Sequence, residues 1–177
     1  MKSSNRIYLA TVGTATSFVL VAFIARASHV RIITTDSAAP AGIYRTVTAS
    51  LTRGELVLAC LPPEAARLAL ARGYLGAGDC VGGVEPVAKL IGALPGDTVE
   101  IRPAWTAVNG IRFEHSPTLS RDSANRPLTH VAWGMRTVPD QQVWLFGFNN
   151  RRSWDSRFFG AVSTGNVRGA LEPLIIW

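Results

Sequence analysis

The sequence predicts a mainly β, α+β body of coiled antiparallel strands with one short helix, preceded by an N-terminal transmembrane helix. Sixteen Gly and ten Pro in 177 residues interrupt the chain too often for a helical bundle. Apolar runs of strand length recur between those turns. The 19 residues Ile7–Ala25 carry no charge. At about 1.5 Å rise per residue such a stretch spans nearly the hydrocarbon core of a bilayer. A charged fraction of 17% and a mean hydropathy of +0.19 exclude a disordered chain.

Lys2 and Arg6 precede the apolar stretch and Arg26 follows it. Two readings stand. One is an uncleaved anchor; the other is a signal peptide cut after the small-x-small run Ala25–Arg26–Ala27. The stretch is longer than a usual signal core, which favours the anchor. Both readings export the body, and the basic N-terminal flank points the N-terminus inward. The expected arrangement is an anchor or signal segment over 1–31 and one domain over 32–177. That domain would lie on the periplasmic side of the cytoplasmic (inner) membrane, with the membrane itself as a partner.

The body is justified element by element. Residues 32–35 (IITT) read as a short strand, and Asp36–Gly42, with Pro40, as a turn. Gly54–Leu61 (GELVLACL) is a strand. Pro63 and Glu64 open a helix over Pro63–Arg72, with proline at its start and an acid in its first turn, and Gly73 ends it. Gly76, Gly78, Gly82 and Gly83 make a loop around Cys80. Pro86–Leu94 (PVAKLIGAL) is an apolar strand with one charge, Lys89. Pro95–Gly96–Asp97 is a turn and Thr98–Arg102 a strand. Asn109–Gly110 marks a hairpin within Ala107–Phe113. Residues 114–130 are polar and read as a surface loop. Gln142–Gly147 is a strand, Asn149–Arg157 a polar stretch, and Phe158–Val162 and Val167–Ile176 close the sheet. Phe146, Phe148, Trp154, Phe158 and Phe159 are read mostly as core, with an apolar membrane-facing rim as the alternative.

The net charge of +6 suggests nucleic acid until it is mapped. Lys2, Arg6, Arg26 and Arg31, with no acid among them, place four of those charges in residues 1–31. The body keeps one compact basic cluster, Arg151–Arg152–Arg157, too little for a phosphate-binding face. No nucleic-acid partner is expected. Cys60 and Cys80 either pair across 20 residues, worth about 3 kcal/mol in an exported protein, or are two buried thiols. No HExxH, CxxC, phosphate-loop or GxSxG pattern occurs, so no metal or cofactor is expected. His29, His115 and His130 read as ordinary histidines rather than members of a triad.

Three segments can carry chemistry. Ser37 is followed by Ala38, Ala39 and the rigid Pro40, a turn that can present a hydroxyl and a backbone N–H. Lys89 sits in a strand whose alternate residues Val87 and Ile91 share its face. Burial there would lower its pKa and make it a general base near neutral pH; the plain alternative is a snorkelling lysine at a strand edge. In the run from Gly147 to Gly160, Ser153, Asp155 and Arg157 point to one side if the chain is extended, so Asp155 and Arg157 can pair. A surface ion pair of little worth is the plain alternative.

Together these segments resemble the type I signal peptidases, the membrane-anchored Ser–Lys proteases. An anchor is followed by Ser37-x-x-Pro40, then Lys89 six residues before Pro95–Gly96–Asp97, then Ser153–Trp154–Asp155–Ser156–Arg157. Ala38 stands where the family has methionine, and Phe148 where it has aspartate. Pro40–Tyr44, the small size and the two cysteines are most similar to the TraF-type peptidases of conjugative transfer. The resemblance implies a serine endopeptidase domain over 32–177, of the coiled β-sheet signal peptidase type. It implies Ser37 as nucleophile and Lys89 as base, with the Ser37 N–H and Thr35 Oγ1 at the oxyanion. Ser153 would orient Lys89, and Asp155 and Arg157 would hold the loop. The implied substrate is a pilin precursor, processed and in some relatives cyclised, or another exported protein. The alternatives are a general signal peptidase, and a non-catalytic membrane-anchored β-domain of a secretion or conjugation channel. The last would leave Lys89 exposed and far from Ser37. The cleavage site, a linear or cyclic product, a cut after Ala27 and the oligomeric state are not legible.

Overall fold

The structure is a computed structural model, and it describes residues 30–34 and 36–177. The expected 1–31 anchor, apart from Val30 and Arg31, lies outside the described residues, as does Thr35. Among the described residues no helix is long and apolar enough to cross a membrane.

Among the described residues, eleven strands form two curled antiparallel sheets. In chain order they are β1 (Val30–Ile33), β2 (Gly42–Val47), β3 (Leu56–Ala59), β4 (Val87–Ala93), β5 (Thr98–Ile101), β6 (Thr106–Val108), β7 (Ile111–Phe113), β8 (Gly134–Thr137), β9 (Gln142–Phe146), β10 (Val162–Ser163) and β11 (Val167–Ile176). The larger sheet runs β1-β2-β11-β3-β4-β9-β10 and the smaller β7-β6-β5-β8. The α-helices among the described residues are α1 (Pro63–Arg72) and the four-residue α2 (Ser156–Phe159).

Burial follows position in the sheet. All four residues of β3 (LVLA) are buried, because β11 and β4 flank it on both sides. Strand β4 alternates instead, so Val87, Lys89, Ile91 and Ala93 face inward. At the β6–β7 hairpin Asn109 and Gly110 have φ of 50° and 79°, the left-handed pair that matches the strand twist. Between the sheets, Asp97 accepts from Arg53 Nε at 2.8 Å, Leu94 N at 2.7 Å and Asn109 Nδ2 at 2.9 Å. The Arg53 guanidinium, helped by those amides, holds its carboxyl down at about 2.

Helix α1 ends at Gly73 in the left-handed conformation, whose N–H caps Ala69 and Leu70 carbonyls. Cys60 and Cys80 are joined by a disulfide, which clips α1 and the following loop to the end of β3.

Several expectations are corrected. The first strand opens at Val30, not residue 32. Strand β2 follows directly on the serine turn, and β8 lies beyond the polar loop; neither was expected. Residues 158–162 are not one strand. Asp155 accepts the Arg157 N–H and caps α2, so a second short helix precedes β10. The 114–130 stretch is not wholly surface, since Ser116 and Thr118 are buried, Ser116 Oγ accepting from Thr106 N in β6 and donating to the Phe113 carbonyl in β7. Phe146 and Phe158 are core, and Phe148, Trp154 and Phe159 pack against it half-buried.

Candidate active site

Ser37 lies in the turn between β1 and β2. That turn is held from three sides. Tyr44 Oη donates to the Pro40 carbonyl at 2.7 Å, Asn149 N donates to the Ser37 carbonyl at 3.2 Å, and Ala38 is buried. Lys89 reaches the same place from β4. Its Nζ lies 3.0 Å from Ser37 Oγ and 2.8 Å from Ser153 Oγ. The lysine is only 7% exposed. Burial pushes its pKa from the ordinary 10.5 down to about 8; the Asp155 carboxylate opposes this and the Arg157 cation adds to it.

The segment after β9 builds the other side. Asp155 and Arg157 are fully buried. Arg157 Nε donates to Asp155 Oδ1 at 2.8 Å and Nη2 to Oδ2 at 2.8 Å, a bidentate pair. Asp155 Oδ2 also accepts from Gly147 N at 3.0 Å. The remaining guanidinium donors reach the Ser153 carbonyl at 3.0 Å and the Pro117 carbonyl at 2.7 Å. The pair therefore fixes the backbone that carries Ser153. It is not a surface ion pair, and its i, i+2 partners meet around a helix cap rather than along an extended chain. Arg151 and Arg152 stay exposed, so the expected basic cluster is split.

A cleft of about 1460 Å³ opens on this site. Ser37, Lys89 and Ser153 lie on it, between the β1 residues Arg31–Ile33 and the β4 residues Val87–Lys89. A serine hydroxyl in hydrogen-bond contact with a buried amine of lowered pKa, at the wall of a peptide-sized cleft, suits acyl transfer.

The family model for signal peptidase, peptidase S26, matches residues 3–177. The chain belongs to the signal peptidase family. It is thus a serine peptidase that acts on protein substrates. This family member is 33% identical over 153 residues to the plasmid transfer protein TraF of Escherichia coli, covering 85% of each chain. It is 33% identical over 139 residues to the conjugal transfer protein TraF of Agrobacterium tumefaciens (strain 15955), covering 76% of each. A crystal structure of a signal peptidase I from Enterococcus faecalis V583 is 26% identical and covers 71% of this chain and all (100%) of that one. The TM-score of that overlap is 0.42.

In this peptidase the structure brings together Ser37, Lys89, Ser153, Asp155 and Arg157. Thr35, expected at the oxyanion, lies outside the described residues. Three contributors were missed by sequence reasoning. Gly147 is needed for close approach, because a Cβ there would overlap Ser153 Oγ and stand 2.7 Å from the Ser37 carbonyl oxygen. Ser156 Oγ accepts from Leu145 N at 2.9 Å and ties α2 to β9. Tyr44 braces the serine turn; the hint was its place four residues after Pro40.

Proposed function

We propose that this chain is a membrane-anchored Ser–Lys endopeptidase that processes a pilin precursor during conjugative plasmid transfer. Its catalytic domain would face the periplasm from the cytoplasmic membrane. The 3.0 Å contact between Lys89 Nζ and Ser37 Oγ carries the chemistry. The relatives named as TraF plasmid and conjugal transfer proteins carry the biological setting. The uncharged 19-residue stretch carries the anchor. A non-catalytic β-domain would leave Lys89 exposed and remote from Ser37, so it accounts poorly for this contact.

Neutral Lys89 takes the proton from Ser37 Oγ as that oxygen attacks the scissile carbonyl. With its pKa at about 8, roughly a tenth of the lysine is neutral at pH 7. Ser153 orients Nζ, and Asp155 with Arg157 hold Ser153. The Ser37 N–H and Thr35 Oγ1 would bind the oxyanion, one such donor being worth about 2.7–4 kcal/mol. The lysine then returns its proton to the leaving amine, and an acyl-enzyme remains on Ser37. Water resolves it to a linear product; an amine of the same chain, held nearby, resolves it to a ring.

General removal of signal peptides is the second reading, favoured by the family description itself. The test is co-expression with the pilin precursor of the same transfer system. Wild type should yield mature pilin, and Ser37→Ala, Lys89→Ala and Lys89→Arg should leave precursor. Arginine keeps the charge but does not deprotonate. Full processing by any of the three variants would refute the mechanism. Unprocessed pilin precursor alongside cleavage of an ordinary signal peptide would favour the second reading. Intact mass distinguishes the products, a ring being one water lighter.

A further inference from the structure

Beyond Pro117, which accepts from Arg157, the 114–130 stretch has no part in the chemistry above, yet its tip is fixed tightly. Residues 120–128 form a small hairpin, with Leu128 N donating to the Ser120 carbonyl at 2.8 Å and Asn125 in the left-handed conformation at its turn. Asp122 is the centre of the fastening, with a side chain 6% exposed. Its Oδ1 accepts from Ala124 N at 3.0 Å and Arg126 N at 2.9 Å. Its Oδ2 accepts from Arg126 Nε at 2.7 Å and from Tyr74 Oη at 2.6 Å. Arg126 Nη2 donates to the Arg72 carbonyl at 3.1 Å, and Arg72 Nη1 to the Pro127 carbonyl at 2.9 Å. The hairpin is thereby bolted to the end of α1, on the lobe that the disulfide clips.

This bolted hairpin is a wall of the reactive cleft. Leu119, Arg121, Ser123 and Leu128 line the same cavity as Ser37 and Lys89. Tyr74 and Leu75 line it too. The Tyr74 ring packs 5.2 Å from that of Trp154, the residue after Ser153. A continuous path runs from Lys89 through Ser153, Trp154 and Tyr74 to Asp122. A long connection without a core of its own that is nevertheless held rigidly against a cleft has the properties of a binding element.

Resting on the peptidase proposal above, we infer that residues 119–128 read the protein substrate away from the scissile bond, and that Asp122 is the positioning residue that sets this wall. The substrate class is an extended polypeptide that reaches past Trp154 and lays an apolar side chain against Leu119 and Leu128. A substrate that ends at the scissile residue never meets the wall. The hairpin therefore acts on capture of long substrates and not on the Ser37–Lys89 proton transfer.

The test uses the full chain in detergent with two probes, the pilin precursor and N-acetyl-trialanine p-nitrophenyl ester. Asp122→Ala removes the acceptor for Tyr74 and Arg126. It should raise KM for the precursor roughly tenfold while kcat stays near wild type, the mark of lost uniform binding. Ester turnover and its pH profile should not change. Tyr74→Phe deletes one hydroxyl and no packing, and should shift KM in the same direction by less. Loss of ester and precursor turnover together in Tyr74→Phe would overturn the inference, since the contact would then serve the site as a whole. Unchanged precursor kinetics in both variants would overturn it as well. Failure of wild type on both probes would instead refute the peptidase proposal.

Discussion

Replacing Lys89 by methionine should abolish activity and, near neutral pH, make the protein more stable. Methionine matches the length of the lysine stem and fills the same channel between Val87 and Ile91. In the folded chain the pKa of Lys89 falls from 10.5 to about 8. At about 1.4 kcal/mol per pH unit, that drop costs the fold about 3 kcal/mol wherever the lysine must be charged in both states. Below pH 8 both states hold the proton and the whole cost is present. Between the two values the unfolded chain holds a proton that the folded one has released, so stability rises with pH. Above them neither holds it and the cost is gone. The variant also loses the 2.8 Å contact to Ser153, leaving that hydroxyl short of a partner for about 1 kcal/mol. Lys89→Met should therefore exceed wild type by about 2 kcal/mol at pH 7 and fall behind it by about 1 kcal/mol at pH 10.5. Urea denaturation of both proteins in detergent measures the difference, in which other titrating groups cancel. The only two cysteines are already joined, so alkali does not reshuffle thiols. A stability gap that is the same at both pH values would refute the buried, proton-shedding lysine.

Wild-type kcat/KM should rise about tenfold per pH unit in acid and level off above about pH 8, as the neutral form of Lys89 saturates; a pH–rate profile on one substrate checks it. Gly147→Ala should cut turnover roughly 100-fold, because the new methyl displaces Ser153 and the Ser37 carbonyl from their present approach; steady-state kinetics reads this while thermal melting tests that the fold persists. Asp155→Asn leaves the fully buried Arg157 charge without its counterion and should cost about 3–5 kcal/mol in a denaturant titration. Cys60→Ser with Cys80→Ser should cost about 3 kcal/mol of stability, measured the same way.

What the sequence disclosed depended on how local the cause was. Helix α1 announced itself through Pro63, Glu64 and Gly73, and β4 through its inward alternation around Lys89. Strand β8 (GMRT) gave no signal, because it has no apolar face: Met135 is 68% exposed. Strand β2 (GIYRTV) was hidden behind the turn residues Pro40–Gly42. Helix α2 is too short for a period, and the aromatic pair Phe158–Phe159 reads as strand until Asp155 is seen to cap it. In the site, the types Ser37, Lys89 and Ser153 were legible because the motifs that carry them are contiguous. The reach of Arg157 to the Pro117 carbonyl, 40 residues away, was not, and neither was the bolting of the 120–128 hairpin to Tyr74. Those contacts depend on tertiary placement that no local pattern encodes.

Lys89 is the only lysine beyond Lys2, and every other basic side chain of the body is arginine or histidine. The outer surface of the domain thus offers no lysine amine to a reagent. An amine-directed acylating agent small enough to enter the cleft would find one target in the body, and a target already half deprotonated near pH 8. Such a reagent would count working sites, mole for mole, and its rate of attachment would report how open the cleft is. Lysine-directed cross-linkers, acetylation and ubiquitin transfer have no foothold on the exterior, so any modification of that kind in the body would register as inactivation.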